Sequence, residues 1–109
     1  MKDHRTVSPR QEALAERALA DALLKLETVD ECRAFLRDLC SPAELQALAD
    51  RWAVVGLLQE GLPYREIQRR TGVSVTTIGR VARSLTLGNG GYALVVKRIE
   101  EPRHGQARG

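Results

Sequence analysis

Read for its apolar positions, the chain resolves into short amphipathic segments punctuated by capping residues and glycines. From Gln11 to Leu26, the positions Leu14, Ala18, Leu19, Ala22, Leu23 and Leu26 recur every three or four residues, the spacing of one helical face. Such a stripe calls for a cover, either a second chain or its own domain. "TVDE" follows, where Thr28 can cap a helix and Glu31 can return the bond. That helix, Val29 to about Cys40, turns Cys32, Phe35, Leu36 and Leu39 inward. "SPAE" repeats the device with Ser41 as cap, Pro42 at the first helical position and Glu44 three residues after the cap. Leu45, Leu48, Trp52, Val55 and Leu58 then share a face that ends at Gly61.

The next segments are shorter. "LPYREIQRR" predicts a two-turn helix from about Pro63 to before Gly72. "TGVSVTTIGRVARSL", residues 71–85, is crowded with β-branched residues that favour strands. As a strand it sorts poorly, and the alternation collapses beyond Ile78. As a helix capped by Ser74 it gathers Ile78, Val81, Ala82 and Leu85 on one face, and the helix is the better reading. "GNGG" breaks the chain at 88–91. "YALVVKRIEE" fits a helix with Tyr92, Val95, Val96 and Ile99 inward, or a strand built on "LVV"; both stay open. The reading is therefore of one all-α domain over 11–100, between polar, flexible segments at 1–10 and 101–109.

A short helix, a Gly turn and a second helix over 63–86 make a helix-turn-helix. The steep crossing needs a turn residue without a side chain, which Gly72 supplies. Ile67, Val73, Ile78 and Val81 are placed to plug the angle between the helices. The second helix opens with small residues, Ser74, Thr76, Thr77 and Gly79, which suit entry into a major groove about 12 Å wide.

Charge sharpens this picture. Residues 1–60 carry eight basic and eleven acidic side chains, whereas 61–88 carry five arginines against Glu66 alone. The positive charge is concentrated around the helix-turn-helix, a footprint suited to nucleic acid. Arg65, Arg69 and Arg70 are then expected on phosphates, with Thr76, Thr77, Gly79, Arg80 and Arg83 lining the groove-facing surface. Two cysteines, Cys32 and Cys40, stand about 12 Å apart if both are helical, too far for a disulfide. His4 and His104 lack neighbouring ligands, so no metal site is expected. No membrane-length apolar run or signal-peptide core is present, which reads as a cytoplasmic protein. No catalytic triad, carboxylate pair or phosphate loop stands out, so no enzyme is expected.

The run "LCSPAELQALADRWAVVGLLQEGLPYREIQRRTGVSVTTIGRVARSLTLGNGGY" resembles the Trp repressor superfamily, and within it the branch of bacterial Trp-repressor-like proteins of the YerC/YecD type. The resemblance begins around "ECRAFLRDLC" and extends to about Arg98. It is carried by "SPAELQAL" before a helix with Arg51, "EG.PYREI", "TG.S..TI.RV.RSL" and "GN.GY". It implies an intertwined helical homodimer presenting two helix-turn-helix units to a palindromic operator in double-stranded DNA, as a transcriptional regulator and repressor. In tryptophan-responsive members two arginines sandwich the indole and a serine helps hold the amino acid; Arg51, Arg80 and Ser84 match those positions.

The plainer alternatives are that Arg80 faces phosphate and that Arg51 pairs with Asp50 or Glu44. Val81 stands where the family's pocket has glycine, and Asp38 falls near an apolar pocket position. Both disfavour tryptophan as corepressor, and no resident cofactor is expected. Two rivals to the regulator remain: a sensor of an amino acid or related ligand at Arg51/Arg80, and a protein-interaction module that has lost DNA binding.

Overall fold

A computed structural model describes residues 7–101, which form six helices and, among the described residues, no strand. Contacts divide the chain into two compact units between Pro42 and Ala43.

The first unit holds α1 (Pro9–Leu23) and α2 (Val29–Leu39). α1 begins inside the segment expected to be flexible: Ser8 accepts from the Gln11 amide at 3.1 Å, and the Gln11 side chain accepts from the Ser8 amide at 2.9 Å. With Pro9 at the first helical position, the start is as well specified as any in the chain. Residues 1–6 and 102–109 lie outside the described residues, with His4, His104 and most of the expected tails. The helix also ends earlier than its stripe, at Leu23 rather than Leu26. Thr28 caps α2 as expected, accepting from Glu31 at 3.1 Å. The return bond, however, is displaced by one residue, because the Glu31 carboxylate accepts from the amide of Glu27 at 2.8 Å. Neither helix buries a residue: Leu14, Leu23, Leu24 and Val29 all stay exposed. Cys32 and Cys40 are half-buried free thiols.

The second unit is built by α3 (Pro42–Gln59), α4 (Tyr64–Thr71), α5 (Val75–Leu87) and α6 (Gly91–Glu100). Its core is Val54, Val55, Ile67, Val73, Ile78 and Val81. All six are β-branched, with few side-chain rotamers to lose on burial. The four expected to plug the helix-turn-helix angle are all among them. On α3 the buried stripe is narrower than the sequence pattern implied: Val54 joins Val55, while Leu48 and Trp52 stay largely exposed. The open question at 92–99 is settled as helix, with Gly90 at φ +85° turning the chain into α6. Tyr92 and Val96 pack on the core, whereas Val95 and Ile99 remain in solvent.

The turn between α4 and α5 is fastened by more than its glycine. Gly72 takes the left-handed conformation at φ +76° and caps α4. The Thr71 hydroxyl donates to the Ile67 carbonyl at 2.8 Å and accepts from the Val73 amide at 3.0 Å. One side chain thus joins the last turn of α4 to the first residue beyond the glycine. Ser74 then caps α5, accepting from the Thr77 amide at 3.1 Å.

Thr71→Val keeps the shape and removes both bonds, leaving the Val73 amide without its partner. It should cost about 1–2 kcal/mol, read as a lower urea midpoint with an unchanged m-value. Ile67→Ala, emptying the centre of the plug, should cost about 2–5 kcal/mol in the same measurement.

Candidate nucleic-acid interface and ligand pocket

α5 is held from within by Ile78 and Val81, and its opposite face is open. That face and the start of α4 form one concave surface, lined among others by Thr76, Gly79, Arg80 and Arg83. Four residues expected in a DNA groove are therefore brought together. Tyr64 and Val75 border the same surface and were not singled out from sequence. Each is an apolar residue at a helix start that stays more than 40% exposed. Such positions carry a signal in sequence only once the helix boundaries are known.

Two of the expected readers are partly committed elsewhere. Ser74 accepts from the Thr77 amide and donates to the Thr77 hydroxyl at 3.1 Å. Ser74 is thus a cap first, and Thr77 is half-buried beside it.

The arginines of α4 divide into two groups. Arg65 makes no ion pair among the described residues. Arg69 and Arg70 both converge on Glu66: the Arg69 guanidinium binds both carboxylate oxygens, and the Arg70 Nε reaches Oε2 at 3.0 Å. These bonds from Arg69 and Arg70 hold the Glu66 carboxyl well below the ordinary carboxylate range, at about 2. The same bond to Glu66 raises Arg69. The three side chains together carry one net positive charge rather than two. Their spacing of three and four residues was visible in sequence, where Glu66 was counted only as a charge.

On the other side of Arg80 lies a smaller cavity of about 280 Å³, lined by Arg51, Thr77, Arg80, Val81, Ser84 and Tyr92. Arg51, Arg80 and Ser84, 33 residues apart in sequence at the extremes, thus share one wall-to-wall space. Arg51 has no ion pair with Asp50, whose carboxylate accepts instead from the Gln46 amide group at 2.8 Å. Val81, only 3% exposed, is fixed by the core and cannot swing aside from the cavity. Tyr92 is braced by Trp52, with ring centroids 6.3 Å apart. Neither Thr77 nor Tyr92 was expected here; α6 had to be placed before Tyr92 could be.

A family model described as Trp repressor protein matches residues 15–100. The chain belongs to the Trp repressor family. It is 41% identical over 83 residues to the uncharacterized protein YerC of Bacillus subtilis (strain 168), covering 76% of this chain and 80% of that protein. A crystal structure of a TrpR-like protein from Eubacterium eligens ATCC 27750 matches with a TM-score of 0.75 at 40% identity, over 79% of this chain and 89% of that one. A candidate Trp repressor from Staphylococcus aureus matches with a TM-score of 0.74 at 39% identity, over 84% and 95% respectively. The Trp repressor family is a helical, helix-turn-helix regulator family rather than an enzyme family. Among the described residues no helix is long and apolar enough to cross a membrane.

Glu66→Gln should release Arg69 and Arg70 and remove the opposing charge. Affinity for duplex DNA should rise, most at low salt, with a steeper dependence of log K on log salt. The carboxyl itself should titrate near 2 by NMR, against an ordinary value of 4.5. The unfolded chain takes up this proton near its ordinary value and the folded chain only near 2. Stability from Glu66 is therefore complete above the ordinary value and is lost as pH falls towards 2. Glu66→Gln should flatten acid denaturation in that window.

Proposed function

We propose that the chain is a sequence-specific DNA-binding transcriptional regulator, a repressor, that engages a palindromic operator as a homodimer. The observation that carries this reading is the exposure of Arg80 and Arg83 on the outer face of a helix whose inner face is locked by buried Ile78 and Val81. A rigid helix with cations outward and small residues at its leading end suits a major groove. Arg65 flanks it on α4, where a cation positions the duplex through phosphate without reading sequence.

The homodimer is supported by apolar surface that a lone chain leaves wet. In the second unit Trp52, Leu94, Val95 and Ile99 are each at least 40% exposed, and in the first Leu14 is 57% exposed. Sedimentation equilibrium should return twice the chain mass of 12.1 kDa. A monomer at micromolar concentration would remove this part of the reading.

The DNA-binding part is tested by mobility shift on fragments enriched from genomic DNA. Arg83→Ala should weaken the enriched site by about 10-fold if it meets a base edge. Arg65→Ala should weaken all sequences alike and reduce the salt slope by about one. Absence of any shift at low salt would leave the protein-interaction module as the better reading.

A second reading adds ligand control, because one cavity gathers Arg51, Arg80 and Ser84 and Arg80 also borders the outer surface. A ligand there would act on the residue that faces DNA. Fixed Val81 argues against a flat indole between the guanidinium groups. Calorimetry against tryptophan, other amino acids and nucleotides tests this: heat with a non-aromatic ligand, abolished by Arg51→Ala, supports it, and silence throughout leaves a ligand-independent regulator.

A further inference from the structure

Gly79 sits in the interior of α5, where glycine weakens a helix relative to alanine. Nothing within the chain requires it. Its backbone is not in the left-handed region, and a Cβ built there would meet only the Tyr64 ring, at 4.0 Å. Gly79 is a hollow left open on the outer face.

The surroundings of that hollow are specific. Val75 lies one helical turn before it on the same face, 46% exposed, and Tyr64 stands beside it, 41% exposed. Arg83 lies one turn beyond, on the same concave surface. The Ser74 hydroxyl nearby is committed to Thr77. No carboxylate or carboxamide lines this surface, so the side-chain pairings that mark adenine and cytosine are missing from it. Of the base edges exposed in the major groove, only thymine presents a methyl group. An apolar notch of methyl size beside two arginines matches that edge.

We propose that the hollow over Gly79, walled by Val75 and Tyr64, seats the 5-methyl group of a thymine and makes an A·T pair a fixed position of each half-site. This rests on the DNA-binding reading above and names what the leading end of α5 reads. Gly79 and Val75 act here through shape, while Arg83 contacts the neighbouring base or phosphate.

The test begins with duplexes selected from a random pool by the full chain at fixed salt. Each thymine is then replaced in turn by uracil, which removes the methyl and keeps the base pairing. One thymine per half-site should show a loss of about 4-fold. In Gly79→Ala the added methyl occupies the seat, so the thymine duplex weakens and the thymine–uracil difference at that position vanishes. Val75→Ala should shrink the same difference. Gly79→Ala should melt no lower than the parent chain, so weakened binding is not lost fold. Equal affinity for thymine and uracil at every position overturns the methyl seat, as does a difference that survives Gly79→Ala. Both outcomes leave DNA binding standing. A chain that enriches no duplex over the starting pool overturns the DNA-binding reading itself.

Discussion

The wedge of Ile67, Val73, Ile78 and Val81 in the angle between α4 and α5 is the contact on which the rest of the second unit depends. α4 has eight residues and α5 thirteen, lengths at which an isolated helix is marginal in water. Burial of this wedge with Val54 and Val55 keeps them folded and sets the angle at which they cross. Because every member is β-branched, the wedge loses little side-chain freedom on burial and holds one geometry. Gly72 and the Thr71 hydroxyl fix the turn, and Ser74 starts the next helix at a defined residue. The outer face of α5 is thereby held in one orientation relative to α4.

The charges around this frame are arranged in two ways. Arg65, Arg80 and Arg83 stand without ion pairs among the described residues, while Arg69 and Arg70 are held by Glu66. The α4 surface is thus less positive than its sequence suggests, and its net attraction for phosphate is moderated from within. Arg80 occupies the junction between the outer surface and the Arg51–Ser84 cavity. Any group entering that cavity meets a side chain that also borders the outer α4–α5 surface. One side chain thus borders both spaces.

The apolar surface left on α1 and on α6 has the opposite character. Leu14 in one unit and Ile99 in the other are both exposed. α1 keeps its form through a capping box and local bonds, with no buried residue at all. A helix held by local bonds alone is marginal in water, since most helical stability comes from packing of an apolar face.

Local chemistry determined much of this protein from the sequence alone. The Gly72 turn and the Thr28 and Ser74 caps follow from neighbours within four positions, where side chain and backbone act directly on one another, and the wedge residues follow from the helical period on either side of that turn. The pairing of Glu66 with Arg69 and Arg70 lies in the same range, but the sequence reading places both arginines on phosphates. Tertiary structure decided what depends on separated segments. Val81 became a wall of the cavity, Tyr92 was drawn to Arg51 and Ser84 once 92–99 was helix, and Tyr64 came to stand over Gly79, fifteen residues away. Propensity left 92–99 undecided between helix and strand; it is helical, with Tyr92 and Val96 packed on the core. The division is physical: caps and turns are settled by bonds that a few residues make among themselves, whereas a pocket exists only after distant side chains have been buried against a common core.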